Sequence, residues 1–187
     1  MPADIRLDAD AVKVLAHPLR SRLLTALRRG GPATATELAE RLGTNTGATS
    51  YHLRKLESVG LVEDTGEGEG KRREWRAASR SHSWATSDFA GDEDAEASLA
   101  WLTRDYLRQA AERMQGWLDV EHGWPKEWRD VMGSSDDVVE VTPAQAEKLL
   151  AELLAVLARY RTIGAGDPDA RQVSLWLMMH PVDSRHG

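Results

Sequence analysis

Cysteine is absent from all 187 residues. Disulfides, thiolate zinc sites and cysteine nucleophiles are therefore excluded, and the composition fits a cytoplasmic protein. No run of about 18 apolar residues occurs, so no membrane-spanning helix is expected. The opening MPADIRLDADAVKVLAHPLR mixes acids and bases and lacks the apolar centre of a signal peptide. No serine lies in a GxSxG setting and no glycine-rich loop has the phosphate-binding pattern, so an enzyme is not expected. His82, His122, His180 and His186 are scattered without the paired spacing of metal ligands, so neither a metal nor another cofactor is expected.

What is present is 41% hydrophobic and 29% charged, enough for a globular core. The net charge of −6 hides a split. Residues 1–80 carry 14 Lys+Arg against 11 Asp+Glu, and residues 81–187 carry 10 against 19. A mildly basic front and an acidic back read as two modules, only the first suited to a polyanion.

The first module reads as helices. DADAVKVLA (8–16) is short and is broken by His17-Pro18, a structural turn. PLRSRLLTALRR (18–29) places Leu19, Leu23, Leu24 and Leu27 on one face. Thr34 and Glu37 form a capping box for TATELAERL (34–42), which Gly43 ends. Asn45 caps a helix over 46–59, closed by Gly60. Two helices across a three-residue turn make a helix-turn-helix. LVED (61–64) and KRREWRAA (71–78), joined by the turn TGEGEG, make a two-stranded wing.

The stretch GTNTGATS (43–50), which leads into and opens the helix over 46–59, is rich in small polar residues that are middling to poor helix formers. A helix entering the major groove brings its first turns against base edges and phosphates, where small side chains permit close approach and hydroxyls can bond. Periodicity places Thr46, Gly47, Ser50, Tyr51 and Arg54 on one exposed side, with Asn45 at its start. Lys71, Arg72 and Arg73 give the wing a basic edge suited to the DNA backbone.

The stretches LAHPLRSRLLTAL (15–27) and ATELAERLGTNTGATSYHLRKLESVGLVE (35–63), with the basic ribbon, resemble the ArsR-type winged-helix transcriptional regulators of bacteria. The resemblance covers about residues 8–80. It implies a homodimeric, repressor-like protein on a partly palindromic operator, read through Thr46, Gly47, Ser50, Tyr51 and Arg54. Metal-sensing members of similar fold use cysteine-rich sites on the third helix or His/Asp clusters on the last. The third helix here has no cysteine, which argues against metal sensing. The C-terminal half loosely resembles an accessory domain of actinobacterial members.

Residues 81–91 read as a linker and 92–187 as a second domain for dimerisation and effector binding, of α+β character. A long helix over 92–121 carries the stripe Leu99, Leu102, Tyr106, Ala110, Met114 and Trp117, better suited to a dimer seam than to a pocket wall. Strands are expected at 138–141 and 172–180. Thr142, Pro143 and Gln145 start a helix to about Arg161, apolar on more than one face and so expected to be covered on two sides. Six of the seven tryptophans lie in this half. Trp101, Tyr106, Met114, Trp117, Trp124, Trp128, Tyr160 and Trp176 could line a pocket for an aromatic or cationic effector, or fill a small core and dimer interface. The expectation is a mostly α fold with small β content: a cytoplasmic, dimeric regulator binding double-stranded DNA. An effector-independent DNA- or protein-binding module is the alternative.

Overall fold

A computed structural model describes residues 4–68 and 72–182. The chain divides into two compact units, Met1–Gln115 and Gly116–Gly187.

The first unit begins with strand β1 (Asp4–Arg6) and helices α1 (Ala9–Leu15) and α2 (Pro18–Gly30). Asp8 caps α1, its carboxylate accepting from the Ala11 N–H at 2.8 Å. His17 caps α2: its Nδ1 accepts from the Leu19 N–H at 3.1 Å, and Pro18 supplies the preset first turn. Strand β2 (Ala33–Thr34) leads into α3 (Ala35–Leu42), started by the reciprocal Thr34/Glu37 box that the sequence predicts. Gly43, in the left-handed conformation at φ 64°, ends α3 and turns the chain into α4 (Thr46–Glu57). Gly60, at φ 70°, leads from α4 into strand β3 (Val62–Asp64), which pairs with β4 (Glu74–Ala77). β4 also pairs with β2, giving a three-stranded antiparallel sheet in the order β2-β4-β3.

The core joins these elements. Leu15, Leu23, Leu24, Leu38, Leu53 and Leu56 are fully buried, and Trp75 enters the same cluster from β4. Each buried leucine contributes on the order of 1.5–3 kcal/mol relative to exposure.

Residues 81–91 are not a linker. Strand β5 (Ser81–Ser83) pairs in parallel with β1, Ile5 opposite His82, and a 3-10 turn follows over Thr86–Phe89. Arg6 binds Asp88 through two hydrogen bonds of 2.9 and 2.8 Å, and Lys13 binds Asp92 at 2.7 Å. Phe89 is buried. This segment straps the N-terminus to helix α5 (Glu93–Val120), whose Ala95, Leu99 and Leu102 belong to the same core. The first unit therefore extends well beyond residue 80.

The second unit holds the last turn of α5, a 3-10 turn (Glu121–Gly123), α6 (Lys126–Val131) and α7 (Pro143–Tyr160). Thr142 and Gln145 cap α7 as its sequence predicts. The strands expected at 138–141 and 172–180 do not form among the described residues. A strand needs a neighbour to take its N–H and C=O groups. Val138, Val139 and Val141, and likewise Val173, Leu175 and Leu177, are exposed instead. α7 is also not covered on two sides: Leu150, Leu153, Leu154, Val156 and Tyr160 are exposed.

Candidate nucleic-acid interface

The start of α4 is fixed by Asn45, whose Oδ1 accepts from the Ala48 N–H at 2.8 Å. The Thr49 hydroxyl donates to the Asn45 carbonyl at 3.0 Å, so Thr49 turns inward with Leu53 and Leu56. The other face carries Thr46, Gly47, Tyr51 and Arg54, all exposed, with Ser50 half-buried beside them. Among the described residues, no acid lies within ion-pairing distance of Arg54. The Lys55 ammonium stands 5.9 Å from the centre of the Tyr51 ring, a cation beside this face that the sequence reading passed over.

The wing behaves less simply. Arg72 is exposed. Arg73 instead turns to its own domain: it pairs with Asp64 at 3.4 Å and Glu57 at 3.8 Å, and its guanidinium lies 5.8 Å from the Trp75 ring centre. It braces the end of α4 against the ribbon. Lys71 lies outside the described residues.

A second basic group adjoins α4. His17, at the start of α2, and His52, on α4, have ring centroids 4.4 Å apart. Tyr51 meets His52 edge-on at 5.1 Å. Burial holds both imidazoles below the usual histidine pKa. The Arg20 charge lowers His17 further, and His17 and Arg20 together lower His52. Among the described residues, His52 Nδ1 is buried without a partner. The His17-Pro18 pair is legible as a turn; its contact with His52 is tertiary and left no local signal.

The eight residues expected to line an effector pocket are distributed differently. Trp101 and Tyr106 pack against the core of the first unit. The Tyr106 hydroxyl meets His82 Nε2 at 3.0 Å, and Arg28 bonds to His82 Nδ1. Met114 is exposed. In the second unit Trp117, Trp124 and Trp128 form an edge-to-face series, with centroid separations of 5.6 and 6.3 Å. Tyr160 and Trp176 are exposed. Among the described residues, no group of three or more His, Asp or Glu is placed to hold a metal ion.

Residues 15–65, from the end of α1 past β3, match a protein family described as "Helix-turn-helix domain". This stretch is a helix-turn-helix domain. A curated protein with the same kind of segment is the HTH-type transcriptional regulator NmtR of Mycobacterium tuberculosis. It is 44% identical over 54 residues, which make up 29% of this chain and 44% of the relative. The match thus spans less than half of that relative's length. A crystal structure of RV1404 from Mycobacterium tuberculosis aligns over 82% of this chain and 83% of its own, at 14% identity and a TM-score of 0.30, too low to carry an argument. Within the helix-turn-helix domain, α3 and α4 are the paired helices and the exposed α4 face is its outer surface. Among the described residues, no helix is long and apolar enough to cross a membrane.

Proposed function

We propose that this chain is a cytoplasmic, sequence-specific DNA-binding transcriptional regulator of ArsR type, a repressor acting as a homodimer on a partly palindromic operator. One observation carries the reading. The exposed face of α4 combines Thr46, Gly47, Ser50, Tyr51 and Arg54, which has no acid partner among the described residues, within a helix-turn-helix domain. Small residues allow close approach to base edges, and Arg54 can bind a guanine edge or a phosphate. A single reading helix covers too few base pairs for useful specificity, so two-fold symmetry is required. The exposed apolar face of α7 supports a second copy as its cover. Selection of bound fragments from genomic DNA, followed by footprinting, tests this. Two protected half-sites about 10 base pairs apart are expected; fragments enriched no further than input would overturn it.

Control by a small aromatic or cationic effector is the finer part of the reading. Trp117, Trp124 and Trp128 support it, because clustered indoles present faces to a cation or planar ring. The alternative is an effector-independent DNA- or protein-binding module whose second half is only a dimer core, and the wide exposure of α7 favours it. Quenching of tryptophan fluorescence by a small molecule at saturable concentration, with altered DNA affinity, distinguishes the two.

A further inference from the structure

We propose that His17, Arg20 and His52 form a proton-linked site for a DNA backbone phosphate at the junction of α2 and α4. The inference rests on the DNA-binding reading and adds a contact and a regulation to it. Its physical basis is a cluster of basic groups without a counter-charge. The two imidazoles lie 4.4 Å apart between centroids, and among the described residues neither has a carboxylate within ion-pairing distance. Arg20 is anchored through Nε to the Val14 carbonyl at the end of α1. Arg6, Lys13, Arg73 and Arg76 of this unit each have an acid, whereas Arg20, like Arg54 on the α4 face, has none within ion-pairing distance among the described residues. The anion is missing here, beside the helix that the reading places in the groove, and a phosphate supplies it.

The two histidines differ in where a proton can go. His17 Nδ1 is occupied as the cap of α2, accepting from the Leu19 N–H, so a second proton there would cost the cap. Among the described residues His52 Nδ1 is buried without a partner, so an added proton and a phosphate can meet this ring only at Nε2. His52 is therefore the group that takes the proton. In the free protein, burial and the neighbouring Arg20 charge keep it neutral near pH 7. A phosphate against Arg20 and His52 favours the imidazolium, so binding takes up a proton and affinity rises as pH falls. Linkage limits the gain to tenfold per pH unit for one proton.

The contact is with the backbone, so any duplex reports it. A fluorescein-labelled duplex of arbitrary sequence is titrated with the full chain at fixed low salt, between about pH 5.5 and 7.5. His52→Gln and His17→Asn are run in parallel, the second retaining a cap acceptor. The wild type is expected to gain about threefold or more per pH unit beyond the gain of His52→Gln, with His17→Asn keeping most of the slope. Calorimetry in two buffers of different ionisation enthalpy should register proton uptake by the wild type that His52→Gln loses. Equal slopes and equal proton uptake in the wild type and His52→Gln would overturn the proposal while leaving DNA binding intact. No binding to any duplex at any pH would overturn the DNA reading and this inference with it.

Discussion

The Ser21 hydroxyl donates to Asp105 Oδ2 at 2.5 Å, joining α2 to α5 across 84 residues of sequence, and both residues are buried. Gln109 Nε2 donates to the same carboxylate oxygen at 2.7 Å and to Ser21 Oγ at 3.1 Å, while Arg108 covers the other oxygen. The carboxylate accepts from all three side chains, while Ser21 Oγ also lies 3.1 Å from the Pro18 carbonyl. Asp105→Ala should lower stability by about 1–3 kcal/mol, because the Ser21 hydroxyl and Gln109 amide lose their shortest, charged acceptor inside the core. Urea unfolding midpoints measure it. A change within about 0.5 kcal/mol would mean water replaces the carboxylate without loss.

Gly47 separates stability from binding. It lies within α4, and a Cβ built on it would meet only Asn45 Oδ1, at an ordinary 3.4 Å. Nothing inside the chain requires glycine there. Gly47→Ala should therefore stabilise the fold by up to about 1 kcal/mol through helix propensity. If the glycine serves close approach to DNA, the same variant should bind DNA more weakly. A raised melting temperature with unchanged DNA affinity would remove Gly47 from the interface.

His82 makes the first unit sensitive to acid. Arginine can only donate, so Arg28 fixes His82 Nδ1 as an acceptor and leaves the proton on Nε2, which donates to the Tyr106 oxygen. Burial, reinforced by Arg28, pushes the His82 pKa down from 6.5 to about 3. The unfolded chain takes up this proton below pH 6.5 and the folded chain does not. The His82 contribution is therefore complete above that pH and is lost as pH falls toward about 3, by about 1.4 kcal/mol per pH unit. Denaturation midpoints between about pH 6.5 and 4.5, above the range where most carboxylates titrate, should slope more steeply in the wild type than in His82→Gln, where the lowered His17 and His52 still contribute. Parallel curves would place the acid sensitivity elsewhere.

The second unit makes a prediction about assembly. Leu150, Leu153, Leu154 and Val156 are exposed along α7, and the helices of this unit contain no buried residue. Sedimentation should therefore report a dimer, and Leu153→Glu should shift it toward monomer. A wild type that sediments as a monomer at micromolar concentration would contradict the homodimer reading.

How much of this the sequence announces depends on how local the cause is. The starts of α3, α4 and α7 are legible because Thr34, Asn45 and Thr142 cap their own helices within three residues. The exposed face of α4 is legible from periodicity alone. The β1–β5 pair is not: DIR and SHS are three residues each, show no apolar alternation, and meet across more than 70 residues. Arg73 was legible as a basic residue but not as one neutralised by Glu57 and Asp64, which is a tertiary fact. The strands expected at 138–141 and 172–180 were inferred from apolar composition, and composition cannot supply the partner that a strand requires.

The central claim is that α4 reads DNA through its exposed face. The most direct test is fluorescence anisotropy with duplex DNA from the gene's own upstream region, at several salt concentrations, comparing wild type with Arg54→Ala and Arg73→Ala. Tight, salt-sensitive binding is expected, weakened about 10- to 100-fold by Arg54→Ala and much less by Arg73→Ala, because Arg73 is already paired with Asp64 and Glu57. Tight binding that Arg54→Ala leaves untouched would contradict the claim.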